Sequence, residues 1–239
     1  MYKRYQWPKV LPPLTPEQVE ISNDWMRYWH EVMLNKYGII EKFNHGYPLK
    51  HLPAQRPFRT IEIGAGIGGH LEYEDLSIQE YHCVELRENM ASEIRRRFPN
   101  VTVTTTDCQQ RLPYPDAHFD RALAIHVLEH LPDLPNAVAE LARVLKPGGI
   151  FSIVIPCDPG LAYEIARQVS SARIFRKRYK QPYMSLMRRE HINSPREIIS
   201  TIMKAKMREV DRSYFPLYVP IISANLCIGL TFTNLGTAR

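Results

Sequence analysis

Short apolar runs alternate with amphipathic stretches from about residue 59 onward. The apolar runs predict strands over residues 60–63, 81–85, 101–105, 119–125 and 150–155. Between them, helical periodicity covers residues 89–98 and 134–145, and Lys-Pro-Gly-Gly at 146–149 is a helix stop. Alternation of this kind is typical of a parallel sheet with helices on both faces.

The C-terminal third adds a helix and two strands to this pattern. A capping box with proline at the first helical position opens the helix at Ser194-Pro195-Arg196-Glu197. Strands are predicted over residues 207–215 and 225–233, and their short connection predicts antiparallel pairing. The predicted fold is therefore α/β, with a Rossmann-like, seven-stranded, mostly parallel sheet, an antiparallel last strand and helices on both faces.

One stretch tests whether the chain enters a membrane. Residues 214–232 contain no charged side chain and are nearly long enough for a spanning helix. The middle of the stretch holds residues that break helices or form turns, namely Pro216, Pro220, Ser223 and Asn225. This favours a buried hairpin, so no transmembrane segment is predicted.

The first 55 residues are dense in proline and aromatic side chains. A helical pattern opens at Pro16, and its apolar stripe predicts a docking helix from Val19, Trp25, Tyr28, Trp29, Val32 and Met33. Gly and Pro residues predict a loop over residues 43–48. We expect residues 1–55 to be a helical extension that packs on or caps a single domain formed by residues 56–239. We expect the extension to reach the open side of that domain through Trp29, His45 and Tyr47.

Composition excludes the fibrous and disordered classes. The 239 residues are 44% hydrophobic and 23% charged, in the ordinary range for a globular protein. The four cysteines form no C-x-x-C pair and no dense disulfide framework, and the N-terminus has no apolar signal region. These features predict reduced thiols in a cytoplasmic protein.

The net charge of +6 is concentrated in one segment. Residues 163–189 contain eight Lys or Arg and one Glu, so the rest of the chain is close to neutral. We interpret residues 160–192 as a basic helical lid. Either it is a solvated helical face, or it binds an anion. Its interleaved aromatic residues also fit a surface that stacks bases: Phe175, Tyr179 and Tyr183.

The chemistry is carried by a glycine-rich turn after the first predicted strand. Gly64, Gly66 and Gly69 satisfy the G-x-G-x-x-G fingerprint, in which glycine allows a sharp turn and a close approach of a ligand to the backbone. Glu85 follows Gly64 by 21 residues and ends the second strand, where an acid would hold a ribose diol. A nucleotide-like ligand follows, and these features leave open which one.

Other motifs along the chain indicate which nucleotide-like ligand is bound. They are Glu62 before the glycines, Asp107-Cys108 after the third strand, Leu-Pro-Tyr-Pro-Asp-Ala-His-Phe-Asp at 112–120, His-Val-Leu-Glu-His-Leu-Pro-Asp at 126–133 and Leu-Lys-Pro-Gly-Gly at 145–149. As an ordered set over residues 59–156, they resemble a class I S-adenosylmethionine-dependent methyltransferase of the small-molecule subfamily that includes the ubiquinone-biosynthesis type.

The resemblance implies a cofactor, S-adenosylmethionine, and a role for each matching residue. Glu62 and the turn formed by Gly64, Ala65, Gly66 and Gly68 would lie beside the methionine portion of the cofactor. The resemblance places Glu85 on the ribose hydroxyls and Leu86 on the adenine. Asp107 would accept a hydrogen bond from the adenine amino group, Cys108 would supply a backbone N–H, and Ile125 and His126 would line the wall near the sulfonium.

Methyl transfer from a sulfonium is a direct displacement, in which alignment and exclusion of water matter most. A general base helps only if the acceptor is a hydroxyl or an acidic carbon, and His126 and His191 are the candidate catalytic residues for that role. His130 is interpreted as structural. No metal site is predicted. The basic lid favours an anionic small-molecule acceptor, whereas the oligomeric state is not predicted.

Two other functions remain open for this sequence. The chain could bind S-adenosylmethionine as a sensor or subunit without turnover, and the glycines alone also permit an NAD-dependent dehydrogenase. A nucleic-acid methyltransferase is disfavoured, because residues 125–130 lack the Asn/Asp-Pro-Pro-aromatic element that engages a flipped base.

Overall fold

The computed structural model describes residues 6–28, 32 and 38–236, without the side chains of residues 185–188. Seven strands form one sheet in the order β3-β2-β1-β4-β5-β7-β6. They are β1 (Phe58–Ile63), β2 (Gln79–Glu85), β3 (Thr102–Thr105), β4 (Phe119–Ile125), β5 (Leu145–Pro156), β6 (Met207–Phe215) and β7 (Cys227–Asn234). The seven-stranded sheet predicted from the sequence is confirmed.

Eight α-helices accompany the sheet in the described residues. They are α1 (Pro16–Tyr28), α2 (Gly38–Gly46), α3 (Glu88–Arg97), α4 (Leu134–Val144), α5 (Leu161–Val169), α6 (Ser171–Tyr179), α7 (Tyr183–Glu190) and α8 (Pro195–Lys204). The predicted capping box is present at α8, where the Ser194 side chain accepts from the Glu197 backbone and the Glu197 side chain accepts from the Ser194 backbone.

The strand order creates a crevice between two neighbouring strands. β1 pairs in parallel with β2 on one side and with β4 on the other, so the chain leaves β1 in one direction and later returns to its opposite edge. Ligands of open α/β sheets bind outside the carboxyl ends of the strands at such a switch point. The carboxyl ends of β1 and β4 therefore mark where a site is expected.

The last two strands form the predicted hairpin. β7 is antiparallel to both β5 and β6 and lies between them. In the dinucleotide-binding fold the corresponding half of the sheet runs 4-5-6 and is built from parallel units. This difference disfavours the dehydrogenase interpretation. No helix among the described residues has the length and apolarity needed to cross a membrane.

Buried aromatic and aliphatic side chains fill the space between sheet and helices. Phe119, Phe151 and Phe232 are fully buried on strands β4, β5 and β7, and α4 and α8 pack on the same cluster through Val138, Leu141, Ile198 and Ile202. Each such side chain contributes about 2 kcal/mol through removal of apolar surface from water. The sheet that carries the site is therefore rigid.

The N-terminal extension differs from its prediction. The loop predicted over residues 43–48 is wrong: α2 continues through Gly46, and Tyr47 is only 1% exposed. The reason is tertiary packing, since the Tyr47 ring covers Gly229 of β7, where an added Cβ would lie 2.4 Å from the ring. Val19 was predicted in the buried stripe of the first helix but is 41% exposed. Trp29 and Met33 lie outside the described residues.

Candidate active site

The turn after β1 requires glycine for two different reasons. Gly64 has φ +63°, and an added Cβ would lie 2.4 Å from Cγ2 of Val127, so the turn packs directly against the segment after β4. Gly66 has φ +59° with nothing within 4 Å of an added Cβ, which leaves its backbone open to a ligand. Gly69, by contrast, has φ −61° and needs no glycine conformation. The third glycine of the fingerprint therefore carries no structural requirement.

The remaining residues of the turn fix it to the sheet. The backbone N–H groups of Gly64 and Ala65 donate to the Val84 carbonyl on β2, at 2.7 and 3.3 Å. Gly68 also has a positive φ, +79°, and an added Cβ there would be crowded at 3.1 Å by Leu71. The turn is thus held from both sides, with Gly66 at its open position.

Glu85 lies opposite this open position. Its side chain is buried at 3% exposure, and its Oε2 accepts a 2.9 Å hydrogen bond from the Gly66 N–H. The other oxygen, Oε1, accepts from the Arg87 N–H at 3.0 Å. Backbone amides therefore aim the carboxylate at the glycine turn, and hydroxyl donors would find a preoriented bidentate acceptor.

Glu62 is the second buried acid near the turn. Burial raises its pKa to about 8, against the opposing effect of a 2.8 Å hydrogen bond from the Tyr81 hydroxyl. Glu62 is therefore mostly protonated at neutral pH in the unliganded protein. A cationic ligand group beside it would favour the ionised form.

The expected adenine contacts follow β2 and β3. Leu86 is 63% exposed, a large apolar side chain left open at a strand end. One oxygen of Asp107 accepts from the backbone N–H and the side-chain amide of Gln109, at 2.9 and 3.0 Å. Cys108 is buried, and burial raises its pKa to about 12, so it is a neutral thiol. The structure brings these residues to the same edge of the sheet as the glycine turn.

Ile125 ends β4, and His126 follows it directly. Ile125 packs against the cluster of Phe43 and Phe215, and His126 has a left-handed backbone conformation, φ 52°. Its Nδ1 lies 3.2 Å from Oε1 of Glu129. Burial lowers the pKa of His126, but hydrogen bonds to Cys227 and Glu129 outweigh it and raise the pKa above its ordinary value. An imidazole in this state donates hydrogen bonds and is a poor general base.

His191 belongs to a polar cluster that sequence analysis only partly identified. Its Nδ1 lies 2.9 Å from Oδ2 of Asp158, and its ring lies 5.2 Å from that of His130. Asp158 and the buried Glu129 were not considered as site residues. The signal for Asp158 was available, because it lies two residues after β5, near the carboxyl end of a parallel strand.

The basic lid comprises α5, α6 and α7, and the cations described in it differ in their contacts. Arg167 is buried and donates to Asp158 at 2.8 Å, and Arg178 pairs with Asp24 of α1. Four others are exposed on or after α6, namely Arg173, Arg176, Lys177 and Lys180. Two of these, Arg176 and Lys180, line a surface cavity of about 420 Å³.

The lid aromatics do not form a stacking surface. Phe175 and Tyr183 are 1% and 4% exposed, and Trp25 of α1 packs edge-on against both rings. Tyr179 donates its hydroxyl to Asp24. The aromatic residues therefore join α1 to the lid, and the base-stacking interpretation of the interleaved pattern is not supported.

Comparison with known proteins agrees with this geometry. Residues 61–153 match the family described as methyltransferase domain. A probable S-adenosylmethionine-dependent methyltransferase of Mycolicibacterium smegmatis is 30% identical over 147 residues, 60% of this chain and 51% of that protein. A sterol 4-C-methyltransferase of Caenorhabditis elegans is 31% identical over 119 residues, 46% of this chain and 34% of that protein. The match thus spans about half of one relative and a third of the other.

A solved structure extends the likeness beyond the matched segment. It is an S-adenosylmethionine-dependent methyltransferase from Thermotoga maritima, described as a possible histamine N-methyltransferase, with a TM-score of 0.58 and 21% identity. The likeness covers 90% of this chain and 96% of that one, and at this identity it shows the fold. Membership of the ubiquinone-biosynthesis subfamily stays a prediction. Residues 61–153 thus form a methyltransferase domain that is similar to S-adenosylmethionine-dependent methyltransferases, and the sheet has the fold of such a protein.

Proposed function

We propose that this protein transfers the methyl group of S-adenosylmethionine to an anionic small-molecule acceptor by direct displacement. The observation that carries the proposal is the buried Glu85 carboxylate, which meets the open Gly66 amide at 2.9 Å beside the β1–β4 switch point. A ribose diol supplies two hydroxyl donors to such a carboxylate, and the absence of a Cβ at Gly66 leaves room for the ligand.

The other cofactor contacts follow from the same edge of the sheet. Glu62 would meet the cationic methionine portion, whose charge favours the ionised carboxylate. Exposed Leu86 would regain an apolar partner in the adenine ring. The proposed cofactor-binding set is Glu62, Gly64, Ala65, Gly66, Gly68, Glu85, Leu86, Asp107, Cys108, Ile125 and His126.

S-adenosylmethionine supplies an activated methyl group, and the chain aligns the acceptor with it. The positive charge of the sulfonium disappears as the methyl group moves, so a dry and ordered site favours the displacement. Ile125, which packs on the apolar cluster of Phe43 and Phe215, would supply an apolar wall at the end of β4. His126 and His191 would lie on the acceptor side. With its raised pKa, His126 fits the role of a hydrogen-bond donor to an anionic acceptor.

The charge of the lid supports an anionic acceptor. Arg167 joins α5 to Asp158 at the end of β5, which anchors the lid beside the acceptor end of the sheet. Arg176 of α6 and Lys180, which follows α6, lie at the border of a cavity of about 420 Å³. A phosphorylated, carboxylated or lipid-linked molecule would find both a charge partner and a cover there.

Labelled cofactor tests the proposal directly. The purified chain is incubated with S-adenosylmethionine labelled in its methyl group and with a metabolite extract, and the products are separated by anion exchange. We expect label in the retained, anionic fraction, and at least tenfold less of it with Glu85→Gln. The matched control is Glu80→Gln on the same strand, 54% exposed and paired with Arg59, which should transfer at the wild-type rate.

The alternatives give different results in the same experiment. Tight binding of S-adenosylhomocysteine with no labelled product in any fraction would identify a binding protein without turnover. Label confined to the unretained fraction would keep methyl transfer and overturn the anionic acceptor. Equal transfer by the Glu85→Gln and Glu80→Gln variants would overturn the proposed cofactor site.

A further inference from the structure

A cluster of metal-ligand type lies beside the candidate active site. Glu129, His130 and His191 each offer one ligand atom, and these atoms lie within 4.8 Å of one another. The ring nitrogens of His130 lie 3.8 Å from the Glu129 carboxylate and 3.7 Å from the Glu190 carboxylate, distances that are too long for hydrogen bonds. The three side chains thus converge without bonding to one another.

The carboxylate of Glu129 supplies an independent sign of a missing partner. The side chain is 1% exposed, and its Oε2 has no hydrogen-bond partner among the described residues. Its other oxygen, Oε1, is held by His126 at 3.2 Å. Leaving a buried carboxylate oxygen unpaired costs free energy, and a cation at Oε2 would remove that cost.

Both histidines have a carboxylate on the side away from Glu129. His191 Nδ1 lies 2.9 Å from Asp158, which leaves its Nε2 as the available ligand atom. His130 Nδ1 faces Glu190, while its Nε2 faces Glu129. Metal-ligating histidines usually donate their second N–H to a carboxylate, which fixes the tautomer and strengthens the ligand.

The backbone keeps the distant His191 in this position. The N–H groups of Ile192 and Asn193 donate to the Glu129 carbonyl at 2.9 and 3.0 Å. The Asn193 side-chain amide donates to the carbonyls of Leu128 and Leu131, both at 2.8 Å. The loop before α8 is therefore fixed to the segment after β4, and the cluster is preorganised.

We propose that Glu129, His130 and His191 bind a divalent transition-metal cation of the zinc type. Two imidazoles and one carboxylate form a donor set that suits zinc and its first-row neighbours. Zinc–ligand distances of about 2.1 Å place tetrahedral donor atoms about 3.4 Å apart. The three ligand atoms lie within 4.8 Å of one another, so binding requires a contraction of about 1.4 Å at most. The proposal departs from the sequence analysis, which predicted no metal and a structural His130.

The position of the cluster suggests what a bound cation would do. Three protein donors leave at least one coordination position for water or for an oxygen of the acceptor. His126, which contacts Glu129, directly follows β4, the strand that borders the proposed sulfonium site. The cation would thus be a second positive partner for an acceptor oxygen, although its binding does not depend on methyl transfer.

Zinc titration of the metal-stripped full chain tests the site. We expect one equivalent of zinc per chain by calorimetry and elemental analysis, and visible absorption bands on replacement with cobalt(II). Glu129→Gln and His191→Ala should each weaken zinc binding at least tenfold, and Asp158→Asn about tenfold, as expected for a carboxylate that orients a ligand. The control is His51→Ala, because His51 makes the same type of contact with Asp211, at 2.9 Å, away from the cluster.

Folding and site effects are separated by a second measurement. The variants should keep the wild-type circular dichroism spectrum, and His191→Ala should also keep the wild-type affinity for S-adenosylhomocysteine, since His191 lies outside the proposed cofactor contacts. Substoichiometric zinc on the wild-type chain would overturn the proposal. Zinc binding that survives unchanged in both Glu129→Gln and His191→Ala would overturn it as well, since the ion would then be held elsewhere.

Discussion

The two ends of the candidate site are built in different ways. At the cofactor end, backbone groups do most of the positioning: glycine conformations set the turn, and amides of Gly66 and Arg87 hold Glu85. At the acceptor end, side chains from distant parts of the chain meet, as His191 and Asp158 do across 33 residues. The first kind of site depends on local sequence, and the second depends on the complete fold.

The largest expected effect concerns the backbone end. Gly66→Ala places a Cβ at a left-handed position that faces open space, so it should cost about 1 kcal/mol of stability. Cofactor affinity should fall more, at least tenfold, because the Cβ occupies ligand space. Gly69→Ala is the matched control, since its φ of −61° suits alanine and no atom lies within 4 Å of an added Cβ. Calorimetric titration with S-adenosylhomocysteine measures the affinity, and thermal unfolding measures the stability. Equal affinities of the two variants would contradict the proposal that the Gly66 position faces the ligand.

A second test uses the pH dependence of Glu62. The pKa of Glu62 is about 8 in the folded chain and 4.5 ordinarily. Between pH 4.5 and pH 8 the folded state therefore binds a proton at Glu62 that the unfolded state has lost. Stability from this group is therefore greatest below pH 4.5 and falls as the pH rises towards 8. S-adenosylmethionine affinity should instead rise up to about pH 8, because the cationic ligand prefers the carboxylate.

Glu62→Gln removes both dependences while Tyr81, Glu74, Arg121 and Glu85 still face the position. Unfolding temperatures and binding constants from pH 6 to 9, compared between wild type and variant, provide the measurement. If unfolding temperature and binding constant changed with pH in the same way for wild type and Glu62→Gln, Glu62 would titrate in its ordinary range.

The acceptor end is tested by charge. Reversing Arg176 and Lys177 to Glu should raise the acceptor KM severalfold and leave kcat and cofactor affinity unchanged, because both side chains are exposed on the lid. A control with the same charge change is Lys204→Glu with Arg208→Glu, on α8 and β6. Initial rates are measured at varied ionic strength for both double variants. Equal effects of the two double variants on the acceptor KM would indicate the overall charge of the protein rather than a local contact with the acceptor.

The smallest effect is expected for a substitution at the contact between the basic lid and α1, and it is an effect on stability. Asp24 accepts from Arg178 and from the Tyr179 hydroxyl, and these hydrogen bonds lower its pKa. The stability from this contact is present above pH 4 and is lost as the pH falls through the lowered pKa. Because both charged groups are largely exposed, Asp24→Asn should cost less than about 1 kcal/mol at pH 7. Denaturant unfolding at pH 7 and pH 3 would detect a larger role if the difference exceeded this value.

The same division explains what could be predicted from the sequence. The strands, the hairpin and the glycine turn follow from periodicity and from local conformational requirements, so the ends of β1 and β2 could be located. The roles of Gly64, Gly66 and Glu85 in cofactor binding stay predictions. Asp158 and Glu129 have no local pattern that distinguishes them from other acids, and only the docking of the loop after α7 brings them to His191. The helical course of residues 43–46 was missed because it depends on contacts of Tyr47 with a strand 182 residues away.

Two contacts of the N-terminal extension depend on strands that come later in the chain: Pro48 contacts Arg121 of β4, and Tyr47 contacts Gly229 of β7. The buried guanidinium of Arg121 donates to the Pro48 carbonyl and to Glu74, and the Tyr47 ring needs the bare backbone of Gly229. During synthesis Tyr47 leaves the ribosome early, whereas β7 is among the last elements to appear. Phe43 and Tyr47 therefore gain their full set of packing partners only after β7 has joined the sheet.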